Sequence, residues 1–262
     1  MRLEVGCVIR MECPQPTPLI LLLRPRSGRY QWIVSERYAL TPHVPATEYV
    51  DGFGNLCQRL VAPTGAFTVE TTAEVDVAAR EATGAGAPYV PVEALPDDVL
   101  LYLMPSRFCE SDRLGAVAAE ASGGARMGYD QVAAISQWVF RHLTYLPESD
   151  PSPVSAREVH ARGEGVCRDF AHLAIALCRS LNIPARMVAG YLQDLEPMDL
   201  HAWFEAYVGG RWYTFDPTRP DNHKARVTLA QGRDAADIPV FNQFGPPVTP
   251  SRMEVFVRPL AG

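Results

Sequence analysis

The sequence of 262 residues lacks the features that mark several large classes of protein. Purely aliphatic runs such as Leu19–Leu23 are far shorter than the roughly 20 residues that a membrane-spanning helix needs. The net charge is −6 and no basic patch stands out, which argues against a nucleic-acid partner. No H-E-x-x-H, EF-hand, P-loop, dinucleotide-binding or G-x-S-x-G motif occurs. We therefore expect no metal, no cofactor, no nucleic acid and no membrane among the protein's partners.

The N-terminus and the cysteines indicate a reducing compartment. Glu4 lies where a secretory signal peptide would need its apolar stretch, so we expect a cytoplasmic protein. The six cysteines are scattered singly, without C-x-x-C pairs or metal-ligand spacing. Most of them are expected to be free thiols that pack as small hydrophobic side chains. Only its position can therefore mark one cysteine as chemically special.

The chain changes character near residue 110. Before it, short alternating segments separated by Pro and Gly predict β-strands, and their spacing favours a β-sandwich or a small barrel. Those strands are expected at Leu19–Leu23, Tyr30–Glu36, Thr47–Asp51, Leu56–Val61 and Phe67–Val77. After it, helical and strand patterns occur together. The sequence thus predicts an α+β protein with an N-terminal β-rich domain over residues 1–110 and a second domain over 111–262.

The second half has two predicted helices and a group of strands. Apolar residues at helical spacing predict one helix over Tyr129–Leu143 and another that begins near Cys167 and stops at Asn182-Ile183-Pro184. Residues 218–250 are expected to be irregular. The predicted strands are Ala185–Leu192, His201–Val208, Arg211–Phe215 and Met253–Val257.

Cys167 is the cysteine whose position suggests chemistry. It follows Gly163 and Gly165 and opens an amphipathic helix, where unpaired N–H groups and the helix dipole stabilise a thiolate. With a charged histidine nearby, the pKa of such a thiol falls from about 8.5 to roughly 3.5–7.5. A buried cysteine at an ordinary helix start is the competing interpretation. Cys178, about three turns further along the same helix, lies in its apolar stripe and is expected to be core.

A predicted hairpin supplies two partners for this thiol. A two-residue turn at Gly209-Gly210 would place Trp203 directly across from Asp216. Because side chains alternate along a strand, His201, Trp203 and Asp216 share a face. His201 and Asp216 are then diagonal neighbours, about 7–8 Å apart at Cα, so the carboxylate can hold an imidazole N–H. A lone strand histidine is usually structural, but together with Cys167 the pattern predicts a nucleophile, a base and an orienting carboxylate.

Four segments of the second half form a recognisable pattern: Gly165-Val166-Cys167-Arg168-Asp169-Phe170-Ala171-His172, Gly190-Tyr191, His201-Ala202-Trp203 and Phe215-Asp216-Pro217-Thr218. This pattern resembles the core of the transglutaminase-like superfamily. Three more segments are similar to signatures of a bacterial branch that has an N-terminal β-rich domain and whose members are named as candidate cysteine proteases: Asp51-Gly52-Phe53-Gly54-Asn55, Pro105-Ser106-Arg107-Phe108 and Gly232-Arg233-Asp234.

The resemblance covers nearly the whole chain. It implies a papain-like core, in which a nucleophile at a helix N-terminus packs on an antiparallel sheet, and a triad carried onto Cys167, His201 and Asp216. Thr218 is followed by Arg219, where the family more often has Asn. This departure leaves the triad intact and affects the pocket beside it.

Four further residues are candidate oxyanion or cleft-lining residues. The backbone N–H of Cys167 is a natural donor to a developing oxyanion, and Trp138 or Tyr145 could supply a second donor. Asp169 could orient a neighbouring group, or could simply favour the helix N-terminus. Trp203 is expected to pack beside the catalytic imidazole and shield it from water.

The sequence therefore predicts a cysteine-dependent hydrolase or acyltransferase that acts on amide or peptide bonds through a thioester. Its partner would be a peptide or protein amide substrate. Water or an amine can be the acyl acceptor, and we favour water because it is always present. Two alternatives are an acyltransferase that uses a thioester donor and a catalytically inert peptide-binding scaffold of the same fold. Thiol reactivity separates the scaffold from the enzymes, because a scaffold has no need of a reactive cysteine.

Overall fold

A computed structural model describes residues 1–78, 84–147, 152–220, 224–246, 248 and 250–260. The strands are β1 (Arg2–Cys13), β2 (Thr17–Leu21), β3 (Gln31–Thr41), β4 (Ala46–Val50), β5 (Leu56–Ala62), β6 (Gly65–Val77), β7 (Thr144–Tyr145), β8 (Glu164–Gly165), β9 (Ala185–Leu192), β10 (His201–Val208), β11 (Arg211–Phe215), β12 (Arg226–Gly232), β13 (Phe241–Gln243) and β14 (Pro250–Leu260). The α-helices are α1 (Asp97–Leu100), α2 (Gly115–Ser122), α3 (Tyr129–His142), α4 (Ala156–Arg162) and α5 (Cys167–Ser180). Short 3-10 helices lie at Val92–Ala94, Leu101–Leu103 and Ser111–Arg113. Over the described ranges, no helix combines the length and apolar character needed to cross a membrane.

Two four-stranded antiparallel sheets form a β-sandwich from the six strands of the first half of the chain together with β13 and β14. Their strand orders are β14-β1-β6-β3 and β13-β2-β5-β4. In β6 every second residue from Phe67 to Val77 is buried, so one face of the strand points into a core. Ile9 and Val69 of the first sheet pack there with Leu19 and Leu60 of the second. The prediction of a β-rich N-terminal half is confirmed, and of the two predicted forms it is a sandwich.

The last strands of the chain pair with the first half. β14 lies antiparallel to β1 from Arg2 opposite Leu260 to Met11 opposite Pro250, and β13 pairs with β2. Without β14, β1 would be an exposed sheet edge. The boundary at residues 110 and 111 stays a prediction, but these pairings join residues 241–243 and 250–260 to the N-terminal sheets. A strand pattern in the sequence does not specify its partner, so this return could not be predicted.

The third sheet and α5 form the core of the second half. The sheet has the order β11-β10-β9-β12, and α5 packs against β9 and β10. α2, α3 and α4 also contact α5, so all of α5 from Asp169 to Arg179 is buried. Tyr191 and Val227 of this sheet pack on Leu3 and Val5 of β1, which joins the third sheet to the sandwich. The predicted α+β class is confirmed, and the two predicted helices begin at Tyr129 and Cys167 as expected.

The expectation of irregular structure over residues 218–250 is wrong for residues 226–232, which form β12, and for residues 241–243, which form β13. The pairing of β12 with β9 shifts between Thr228 and Ala230, where a bulge adds a residue. A bulge breaks the two-residue alternation by which a strand is recognised in a sequence. Residues 221–223, 247 and 249 of that segment lie outside the described residues.

Candidate active site

The hairpin of β10 and β11 brings His201 and Asp216 together. Its register runs from Val208 opposite Arg211 to Phe204 opposite Phe215, as the two-residue turn predicts. Gly209 and Gly210 have φ values of 57° and 81°, which suit the tight turns that glycine favours. Nε2 of His201 and Oδ2 of Asp216 are 2.8 Å apart, and both side chains are almost completely buried.

The carboxylate of Asp216 accepts hydrogen bonds at both oxygens. Thr218 donates its backbone N–H (3.1 Å) and its hydroxyl (2.7 Å) to Oδ1. Arg226 donates to Oδ2 at 3.1 Å, beside His201. Burial by itself would raise the pKa of Asp216, but the hydrogen bond and charge of His201, the charge of Arg226 and the Thr218 hydroxyl together lower it to about 2. Asp216 is therefore an anion at any physiological pH.

Arg226 is a site residue that the sequence analysis missed. It occupies the first position of β12 and only 4% of its surface is exposed. The segment around it alternates Arg226, Val227, Thr228 and Leu229, which is a strand signal, but the bulge interrupts it after three residues. An arginine in such a short pattern cannot be told from a surface arginine without the tertiary structure.

The His201 ring is oriented so that one nitrogen is left for the thiol. Nε2 faces Asp216, and Nδ1 is buried without a hydrogen-bond partner among the described residues. Burial lowers the pKa of His201, but the hydrogen bond and charge of Asp216, together with the adjacent Cys167 side chain, raise it to about 9. Cys167 is thus close to the ring, although its sulfur does not complete a hydrogen bond to Nδ1. Trp203 is fully buried beside the imidazole, with ring centroids 6.2 Å apart, as expected.

Cys167 differs from the other five cysteines in its exposure. All six lie in the described residues and are free thiols, and Cys167 is the one that is not buried. Burial raises the pKa of Cys7 to about 11 and that of Cys109 to about 12, and it also raises the pKa values of Cys13, Cys57 and Cys178. The predicted nucleophile is therefore the cysteine that a substrate can reach.

Nowhere in the described part of the chain do three or more His, Cys, Asp or Glu side chains form a metal-binding group.

Asp169 holds the turn that presents Cys167. Its carboxylate accepts the backbone N–H of Val166 at 3.0 Å and pairs with Arg168 at 3.2 Å, and it is itself 2% exposed. Gly165 leaves room for it, because a Cβ there would lie 2.8 Å from the Cβ of Asp169. Of the two roles considered for Asp169, the geometry favours the one at the helix N-terminus, since its carboxylate caps the N–H of Val166, the residue before Cys167.

The two candidate donors to an oxyanion lie in different places. Tyr145 pairs with Gly165 in the short parallel ladder of β7 and β8. Burial and the neighbouring charges raise the pKa of the Tyr145 hydroxyl to about 12, although a hydrogen bond with the backbone of Cys167 opposes the rise. Trp138 stacks on His142 within α3, with ring centroids 3.7 Å apart, and belongs to the core around α5. The structure therefore brings Tyr145, rather than Trp138, close to Cys167.

A polar network joins two further signature segments, residues 105–108 and 232–234, to each other and to α5. Arg179 is buried and donates to the hydroxyl of Ser106 at 3.0 Å and to the carbonyl of Arg233 at 2.7 Å. Asp234 accepts the backbone N–H of Phe108 at 2.8 Å. His172 accepts an N–H at Nε2 at 3.2 Å, and burial lowers its pKa to about 4. These residues join the segments around α5 and do not contact the triad through any of these bonds.

Comparisons with known proteins identify the family to which the chain belongs. The family model of the transglutaminase-like superfamily matches residues 115–217, and that of the bacterial transglutaminase-like N-terminal region matches residues 15–78. A solved structure described as a "putative cysteine protease" from Cytophaga hutchinsonii is 36% identical, with a TM-score of 0.91, and the match covers 100% of this chain and 91% of that one. Uncharacterized proteins of Mycobacterium leprae and Mycobacterium tuberculosis are 26% and 28% identical; the matches cover 82% and 83% of this chain and 82% and 78% of theirs. The chain belongs to the transglutaminase-like superfamily.

Proposed function

We propose that the protein is a cysteine-dependent enzyme that cleaves or transfers amide bonds through a thioester on Cys167. The observation that carries the proposal is the two-sided environment of His201. Its Nε2 is held by Asp216 at 2.8 Å, while Nδ1 has no partner among the described residues and lies near the accessible thiol. A buried structural histidine would be expected to use both nitrogens, because unsatisfied buried polar groups are rare.

Acylation of Cys167 follows from these positions. His201 takes the thiol proton at Nδ1, and the thiolate attacks the carbonyl carbon of an amide. The carbonyl oxygen becomes an oxyanion, for which the backbone N–H of Cys167 and the hydroxyl of Tyr145 are the proposed donors. The imidazolium then gives its proton to the leaving amine, the C–N bond breaks and the acyl group stays on the sulfur. Asp216 remains an anion throughout and stabilises the charged imidazolium.

Deacylation reverses the roles of the same groups. A second nucleophile attacks the thioester carbonyl, His201 accepts its proton, and the C–S bond breaks to restore the thiol. Water as nucleophile makes the protein a peptidase or amidase, and an amine makes it a transglutaminase. We favour water, because no feature of the described residues marks an amine-binding site.

An acyl-enzyme trapping experiment tests the proposal. The protein is incubated with casein and with peptide mixtures, quenched in acid and analysed by mass spectrometry for a substrate-derived mass on Cys167. We expect an acyl adduct that is absent from Cys167→Ala and that hydroxylamine removes. Release of new amino termini or of ammonia then identifies hydrolysis, whereas incorporation of a fluorescent primary amine identifies transfer. A Cys167 that never acylates, with either class of substrate, would favour the peptide-binding scaffold.

A further inference from the structure

A fourth charged side chain reaches the site from β12. Arg226 is 4% exposed, and its guanidinium donates to Oδ2 of Asp216 at 3.1 Å and to the carbonyl of Lys224 at 3.2 Å. The guanidinium also lies over the ring of Trp203, 5.8 Å from its centroid. Arg226 thus contacts two groups that themselves contact His201. Burying an arginine is costly unless its charge is paired, so its position is set by these partners.

The oxygen that Arg226 binds is the oxygen that holds His201. Oδ2 of Asp216 accepts from Nε2 of His201 at 2.8 Å and from Arg226 at 3.1 Å, while Oδ1 is held by Thr218. Arg226 therefore fixes the acceptor to which the imidazole is attached. A partner that only neutralised the carboxylate could have bound Oδ1 instead. Because Nε2 is fixed, Nδ1 is directed to the side of the ring where Cys167 lies.

The charge of Arg226 also balances the site. During the proposed reaction, Asp216 is negative, His201 becomes positive and the Cys167 sulfur becomes negative. Arg226 brings this sum to zero, so that no net charge is left in a site that excludes most water. In a medium of low dielectric constant such a balance has a large effect on which protonation states form.

The strand that carries Arg226 is held in place by the N-terminal half. β12 is an edge strand of the third sheet. Gln31 accepts the N–H of Thr228 at 2.7 Å and donates to its carbonyl at 2.9 Å. Asn55 makes the same pair of bonds with Gln231, at 2.8 and 2.9 Å. Two buried amide side chains thus occupy the hydrogen-bonding positions of a missing neighbour strand, which fixes β12 and hence Arg226.

We propose that Arg226 is a positioning residue that acts on His201 through Asp216. The inference rests on the proposed function, because it assigns to Arg226 the alignment of the base that activates Cys167. It also gives the N-terminal half a part in the active site. Gln31 and Asn55 would set the position of the strand from which Arg226 reaches the triad.

The experiment compares Arg226→Met with a matched arginine of the same sheet. Arg186 lies on β9 and pairs with Glu205 at 2.7 Å; both are largely buried, and Arg186 also lies over the ring of Trp212 rather than a triad residue. Arg186→Met therefore removes a buried arginine ion pair without touching the triad. Arg226→Lys keeps the charge but not the planar fork of donors. Each variant is assayed for the rate at which iodoacetamide modifies Cys167 and for the deshielded NMR signal of the proton between His201 and Asp216.

We expect iodoacetamide to modify Cys167 more slowly in Arg226→Met than in the wild type, by roughly tenfold or more. Mutation of outer-shell hydrogen-bond partners at metal sites reduces affinity or activity by a similar factor. The NMR signal of the proton between His201 and Asp216 should broaden or vanish in Arg226→Met. For both the alkylation rate and this signal, Arg226→Lys should lie between Arg226→Met and the wild type. Arg186→Met should match the wild type in both measurements. Wild-type rate and signal in a folded Arg226→Met would overturn the positioning role. If Arg226→Met does not fold, unchanged readouts in Arg226→Lys would overturn it too. If wild-type Cys167 itself has no advantage over the other cysteines, the proposed function fails, and the proton signal alone decides the role of Arg226.

Discussion

The chemistry of the site depends on single atoms of a few side chains. Which nitrogen of His201 faces the carboxylate decides which one can take a proton from Cys167. Asp216 is held at both oxygens, so its plane cannot turn to offer His201 a different acceptor. Tyr145 is the residue whose role is most open to test, because its side chain lies beside Cys167.

Replacement of Tyr145 by Phe removes the hydroxyl and keeps the ring. If the hydroxyl donates to the oxyanion, acylation of Cys167 by an amide substrate should slow by roughly 10²–10³-fold, the usual cost of losing one such donor. Alkylation by iodoacetamide forms no oxyanion and should change little. Trp138→Phe is the control, since Trp138 stacks on His142 in the helical core and should affect stability rather than rate. Faster acylation in Tyr145→Phe would show instead that the hydroxyl blocks the Cys167 amide.

The placement of His201, Asp216 and Cys167 could be predicted from the sequence because local rules determine it. A glycine pair fixed the turn of the hairpin, and strand alternation then brought His201 and Asp216 to one face. Cys167 was marked by its place at a helix start. Arg226 was not predictable in this way, since its contact with Asp216 depends on how β12 is placed beside β9. Long-range contacts of this kind leave no periodic signal in a sequence.

The outer edge of β12 is unusual, because side-chain amides rather than another strand bind its backbone. Gln31 and Asn55 are buried amides from the N-terminal half, and each makes two hydrogen bonds to the backbone of β12. Asn55 belongs to the segment Asp51-Gly52-Phe53-Gly54-Asn55, which forms the reversal between β4 and β5. The signature segment therefore has a structural purpose, which is to hold the edge strand of the other sheet.

The double variant Gln31→Ala, Asn55→Ala should loosen β12. Each change leaves a buried backbone N–H and carbonyl without their partners, at a cost of roughly 1–3 kcal/mol in the free energy of unfolding. Cys167 should also react more slowly with iodoacetamide, because Arg226 is carried by the same strand. Urea unfolding and alkylation rates measure the two effects. Asn242→Ala, on β13, is the control and should change neither; an unaltered alkylation rate in a destabilised double variant would separate β12 from the site.

Long, regular patterns predicted most of their elements, but the twelve-residue strand β1 (Arg2–Cys13) was missed although it alternates too. α3 and α5 were found because their apolar residues recur at helical spacing, and β6 because it alternates over its whole length. β12 was missed because its bulge breaks the alternation. β14 was expected as a closing strand, but its pairing with β1 at the other end of the sequence was not foreseeable from its pattern.

The whole molecule should be most stable near neutral pH, because two buried histidines shift in opposite directions. The pKa of His201 is raised to about 9, so its contribution is fully present below the unfolded value of about 6.5 and is lost as pH rises through about 9. The pKa of His172 is lowered to about 4 by burial, so its contribution is present above about 6.5 and is lost as pH falls through about 4. Asp216 adds a further loss between about 4 and about 2.

Chemical unfolding from pH 4.5 to 9 measures this profile. His201→Gln should flatten the alkaline side, and His172→Gln should flatten the acid side. His43 is exposed, and His43→Gln should leave both sides unchanged. An alkaline side as steep in His201→Gln as in the wild type would contradict the assignment of His201.

The selective reactivity of Cys167 is the measurement that tests the proposed triad first. Native protein is treated with a limiting amount of iodoacetamide, and the modified cysteines are mapped by mass spectrometry in the wild type and in His201→Ala. We predict that Cys167 is modified well before the five buried cysteines and that His201→Ala removes most of this advantage. A Cys167 that reacts no faster than the others, or one that keeps its advantage without His201, would contradict the triad.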